Sequence, residues 1–157
     1  MTVKYILLKD KIADEFAKLD KLVQRILAAR QKHGASEIFV EFAAVNLQAY
    51  YTGIERIFRM LAENIDGSIP ESERWHKDLL NQIAIEIPQI RPPVISKVLR
   101  DELVDYFMFQ HLIRNVYPFD INAKKVEELL DKLQRVHEQL TRELEAFQEF
   151  LRQAGSA

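Results

Sequence analysis

Residues 107 to 117 read FMFQHLIRNVY, and this stretch gathers the groups in the chain best suited to chemistry. Gln110, His111, Arg114 and Asn115 stand among aromatic and aliphatic neighbours, and Tyr117 closes the run. Core segments seldom carry so many hydrogen-bonding groups, because burying a polar side chain without a partner costs free energy. Each group has its own competence. Histidine moves protons near neutral pH, arginine grips phosphate bidentately, and Asn or Gln holds a base or a ribose. On a helical wheel at roughly 100° per residue, Phe109, Leu112, Ile113 and Val116 share one arc. Gln110, His111, Arg114 and Asn115 spread over the opposite arc, with Tyr117 beside Gln110. The expected helix therefore buries one face and presents a polar cluster on the other. The competing reading is a solvated or inter-helix polar face, with Arg114 paired to a carboxylate.

The remaining histidines offer less. His33 lies at a helix end, where a cation suits the dipole. His76 follows Trp75 on a short helix and is expected at the surface, while His137 falls on a bundle seam as a satisfied core-edge residue. No His and Glu spacing resembles a metal site, and phosphate loops, serine elbows and zinc signatures are absent, so neither metal nor cofactor is expected. In YYTGIERIFRML, Gly53 sits in mid-helix at a cost of about 1 kcal/mol relative to Ala, which predicts close approach of another helix. Glu55 and Arg56 beside it are read as an ion pair at the bundle edge.

Five helices are expected to position these groups. In KDKIADEFAKLDKLVQRILAARQK, Ile12, Phe16, Leu19, Val23, Ile26 and Arg30 recur at three- and four-residue steps, and Gly34 suits the C-terminal cap. Ser36 caps a second helix running to DGSIP, apolar on nearly every side and hence central. The third begins in SIPESERWHKDLLNQIA, where Ser68 and Glu71 have capping-box spacing. Pro88, Pro92 and Pro93 keep IEIPQIRPPVIS from being helical. Ser96 caps a fourth helix through the FMFQHLIRNVY segment to Pro118. In the fifth, Val126, Leu133, Leu140 and Phe147 recur every seven residues, interleaved with Leu130, His137, Leu144 and Leu151.

Composition agrees with this pattern. The 157 residues include 4 Gly and 5 Pro, few enough for an all-α chain of one domain. A net charge of -2 provides no global basic field, although a local basic patch is compatible with it. The absence of cysteine excludes disulfides and thiolate chemistry. No apolar run approaches the ~20 residues of a membrane span, and MTVKYILLKDKIADEF has no small-residue cleavage site. A cytoplasmic protein with no membrane association is expected.

In succession, YYTGIERIF, DGSIPESERWHKDLL, IRPPVIS and FQHLIRNVYPFDIN resemble the HepT-like branch of the HEPN superfamily, of the type common in cyanobacteria, from Asn46 to Asn122. The resemblance implies an all-α HEPN-type bundle of about five antiparallel, up-and-down helices, one domain over residues 1–157, and a homodimer. It also implies a metal-independent ribonuclease site between subunits, and a nucleotidyltransferase antitoxin that transfers AMP to a tyrosine. The family motif is Arg, four to six residues, His, and Tyr two positions later. Laid on this chain it places Tyr on Tyr117, His on Asn115 and Arg on Gln110. The branch pattern Arg-His-x-x-Arg-Asn-x-Tyr fits better, matching His111, Arg114, Asn115 and Tyr117 and departing only at Gln110.

Asparagine cannot exchange a proton with a ribose 2′-hydroxyl, whereas His111 can. Gln110 removes a permanent charge and a bidentate phosphate clamp. The resulting assignments are His111 as acid/base, Arg114 for the phosphate, Asn115 for positioning, Gln110 and Arg114 toward RNA, and Tyr117 as the modified residue. The toxin of a toxin–antitoxin pair is the leading reading. A catalytically degenerate HEPN protein, serving as the binding subunit of a nucleotidyltransferase, is the alternative.

Overall fold

The structure, a computed structural model, describes residues 3–155. Among them are five α-helices: α1 (Val3–His33), α2 (Glu37–Leu61), α3 (Trp75–Ile83), α4 (Lys97–Ile113) and α5 (Ala123–Gly155). On α1, Leu8, Ile12, Leu19, Val23 and Ile26 are the buried stripe. Gly34 follows the last turn but not in the left-handed conformation of a glycine cap, since Gly67 is the described glycine with positive φ. The need for glycine at 34 is steric: a Cβ there would stand 2.5 Å from the Arg30 carbonyl oxygen.

The Ser36 side chain accepts the Ile38 N–H, opening α2, which is buried along most of its length. Gly53 faces α1, where an added Cβ would come within 2.5 Å of Leu19 Cδ2. After Leu61 the chain loosens into a π turn, Ala62–Asp66, closed by Gly67 at φ 73. The capping box expected at Ser68 and Glu71 does not form, because α3 begins only at Trp75. Pro70 disfavours helical backbone at Ile69, and Ser72 organises the approach instead. Its Oγ accepts the Arg74 N–H at 3.2 Å and donates to Asp78 at 2.8 Å.

Four long helices close into a ring in which each neighbour is antiparallel. Glu15 of α1 meets Arg56 of α2, and Tyr50 and Tyr51 of α2 pack on Tyr106 and Phe107 of α4. Glu102 and Ser96 of α4 reach Lys132 and Glu143 of α5, whose Asp131 and His137 return to Arg30 and Asp20 of α1. The bundle is therefore up-down-up-down around one continuous apolar core, with α3 packed across α2 and α4. Every seam position of α5, from Val126 to Leu151, is buried. Full burial of each such Leu or Phe contributes about 1.5–3 kcal/mol.

Two buried polar devices fix the register. His137 places Nε2 2.6 Å from Asp20 and Nδ1 2.9 Å from the Tyr50 hydroxyl. With Nε2–H donated to Asp20, Nδ1 is free to accept the Tyr50 proton. Arg91, in the proline-rich link, donates to both carboxylate oxygens of Asp66 at 2.6 and 2.8 Å and to three carbonyls, those of Ile85, Pro92 and Gln82. This pair ties the end of α2 to the chain entering α4.

Candidate functional site

The polar segment is built at the C-terminal end of α4. Ser96 starts that helix by accepting the Leu99 N–H at 3.1 Å, and the buried stripe then runs through Leu99, Leu103, Tyr106, Phe109 and Gln110. Gln110 is thus the next step of the apolar stripe, and only 2% exposed. Its Nε2 donates to Thr52 Oγ1 at 2.6 Å, and Thr52 donates to the Gln48 carbonyl. This corrects the wheel drawn on the segment alone: Gln110 faces α2, and Leu112 faces solvent at 58%. A nucleic-acid contact expected of Gln110 does not suit an amide turned into the helix pair.

The helix also stops earlier than Pro118. Arg114 caps it, and Asn115 and Val116 continue with i to i−3 turns onto Leu112 and Ile113. Pro118 restricts the residue before it, and Tyr117 adopts an extended φ of -71 and ψ of 149 as it enters the 3-10 turn Pro118–Asp120. His111, Arg114, Asn115 and Tyr117 are all exposed, and they share the last turn and exit of one helix. Tyr117 is 70% exposed and lies coplanar on Phe119, at 5.5 Å between centroids. Arg114 forms no ion pair among the described residues. A carboxylate partner for it, the bland expectation, is not what the fold provides.

A second constellation lies beside this one, and it half-buries His76 in place of the surface position its sequence suggests. His76 is half-buried, its side chain 18% exposed, with Nδ1 2.7 Å from Glu55 Oε2. Trp75 stacks on it at 3.5 Å with Arg59 5.0 Å above the indole, and Phe107 stands 6.2 Å from it. Phe107 is also 5.9 Å from His111. Glu55 and Arg56 do not pair with each other, because successive helical residues point about 100° apart. Arg56 pairs with Glu15 across α1 and Glu55 with His76 across α3. The signal available in the sequence was Glu55 on a mostly buried helix, which demanded a partner. Among the described residues no group of three or more His, Asp or Glu is placed to hold a metal ion, and no helix is long and apolar enough to cross a membrane.

The all-α, up-and-down bundle has the architecture of a HEPN-type fold, and His111, Arg114, Asn115 and Tyr117 lie where its α4 ends. The family model described as HepT-like protein matches residues 42–151, which is more than half of the chain, and the protein belongs to that family. No curated protein and no solved structure matches it. HepT-like proteins are generally halves of toxin–antitoxin pairs, so membership suggests a partner protein.

Proposed function

We propose that this protein, as one HEPN domain over residues 1–157, is the toxin of such a pair and a metal-independent RNA endonuclease. The observation that carries this reading is the exposure of His111, Arg114, Asn115 and Tyr117 together at the end of α4, with Arg114 uncommitted to any carboxylate among the described residues. Cleavage proceeds by attack of a ribose 2′-oxygen on the adjacent phosphorus. His111 exchanges the proton, Arg114 stabilises the charge gathering on phosphate, and Asn115 holds the nucleotide. Gln110 contributes from beneath by holding α4 to Thr52 of α2.

The working form is a homodimer. α4 leaves Met108 and Leu112 uncovered in the turns that carry His111. A second copy laid on this face would cover them and bring two His111 and two Arg114 side chains around one cleft. Apposed arginines repel, so RNA phosphate binds with an affinity that falls as salt rises. A cognate nucleotidyltransferase silences the site by placing AMP on the Tyr117 phenol, which adds charge and bulk where RNA phosphate would enter.

The test uses purified protein in chelator. Wild type should degrade single-stranded RNA, and His111→Ala and Arg114→Ala should not. The partner enzyme with ATP should label wild type and not Tyr117→Phe. A stable monomer, or label retained on Tyr117→Phe, would refute the dimer or the modification. Burial of Gln110 and the asparagine at 115 favour one alternative, a degenerate HEPN subunit that binds substrate for the nucleotidyltransferase. In that case wild type binds its partner without cleaving RNA.

A further inference from the structure

Cleavage by an internal 2′-oxygen needs two proton-transfer groups, one to accept from the nucleophile and one to donate to the leaving oxygen. The exit of α4 supplies one imidazole, His111, while Asn115 can do neither. The structure holds a second imidazole one ring away: His76 and His111 flank the same Phe107, at 6.2 and 5.9 Å between centroids.

Its surroundings are those of a base rather than of a spare surface histidine. Glu55 is 9% exposed on α2 and accepts the Nδ1–H of His76 at 2.7 Å. That bond selects the tautomer whose lone pair lies on Nε2. Nε2 itself makes no hydrogen bond among the described residues, and no side-chain nitrogen is left both buried and unpartnered, so Nε2 reaches solvent. The Trp75 ring at 3.5 Å and an interplanar angle of 28° keeps the imidazole from turning. An oriented histidine with a carboxylate behind it and a free nitrogen in front is a general base in form.

We propose that His76, positioned by Glu55, is the second proton-transfer group of the site. This rests on the ribonuclease reading above. His76 Nε2 takes the 2′-hydroxyl proton as the 2′-oxygen to phosphorus bond forms. The bond from phosphorus to the 5′-oxygen breaks, and protonated His111 gives its proton to that oxygen. The products are a 2′,3′-cyclic phosphate and a 5′-hydroxyl. Glu55 is a positioning residue and does not touch the substrate.

The experiment compares wild type, His76→Gly, Glu55→Gln and His111→Ala as dimers in chelator, with single-turnover cleavage and RNA affinity measured separately. Far-UV circular dichroism and thermal melting verify that each variant is folded. His76→Gly should lose about 100-fold or more in rate, the range of one acid–base group, with RNA affinity kept. Added free imidazole should restore part of that rate, an effect a merely structural histidine would not show. Glu55→Gln, which keeps the volume of the side chain, should also slow cleavage without weakening RNA binding, and carries the test if the glycine variant does not fold. Wild-type rates in either folded variant, alongside an inactive His111→Ala, would overturn the role of His76 and leave the ribonuclease reading standing. A wild-type dimer that binds RNA and never cleaves it would overturn both.

Discussion

Replacing Arg91 by alanine should be among the most damaging single changes outside the apolar core. The Arg91 side chain is 0% exposed and that of Asp66 2%, so neither charge has water to fall back on. All three guanidinium nitrogens are engaged, by two carboxylate oxygens and three carbonyls. Truncation leaves Asp66 with only the Gln82 amide at 2.8 Å, and it strands carbonyls in the link to α4. Removing one partner of a buried pair costs about 3–5 kcal/mol, and the stranded carbonyls place this case at the upper end. In a domain whose total stability is about 5–15 kcal/mol, that is a large share. At about 2–4 °C per kcal/mol for this size, the melting temperature should fall by about 10–20 °C. Urea unfolding with an unchanged m-value and calorimetry would measure it. The double change Arg91→Met with Asp66→Leu should recover most of the loss, because the penalty comes from the orphaned charge. A loss below about 1 kcal/mol for Arg91→Ala, or a double variant no better than the single, would refute the reasoning.

Burial pushes the phenols of Tyr50, Tyr51 and Tyr106 up from the ordinary value of 10.0, with Glu55 adding to Tyr51 and Glu102 to Tyr106. Above that pH the unfolded chain releases these protons and the fold keeps them, so stability should fall as pH rises, by about 1.4 kcal/mol per tyrosine per pH unit. Phenolate absorbance from these three should then appear together with unfolding and not before it. Gln110→Arg, which writes the family arginine back, should cost several kcal/mol rather than create a phosphate clamp, because position 110 is buried against Thr52. A thermally wild-type Gln110→Arg protein with raised RNA affinity would contradict that. Gly53→Ala should destabilise by about 1–2 kcal/mol despite better helix propensity, since the new methyl must displace Leu19 in the core. Chemical denaturation would expose a gain, which would mean that Leu19 has room to turn.

Local chemistry was enough to read several parts of this molecule in one dimension. Ser36 and Ser96 cap their helices as their spacing indicates, and the seven-residue repeat from Val126 to Phe147 is the buried seam. Gly53 announces the close approach of α1 because a glycine in mid-helix has little other reason to be there. These features depend on backbone hydrogen bonds and on one periodic face, which neighbouring residues settle among themselves. The tertiary structure decided the rest. Whether Gln110 faces inward depends on where α4 starts its stripe and on what α2 presents opposite, and an eleven-residue window contains neither. His76 became half-buried because Glu55, twenty-one positions earlier, needed a partner and the fold of α3 over α2 and α4 supplied one. Arg91 and Asp66 lie twenty-five positions apart and pair only because the proline-rich link returns to the end of α2. Burial raises the energetic stakes of each such charge, and only the packed chain determines which partner meets it.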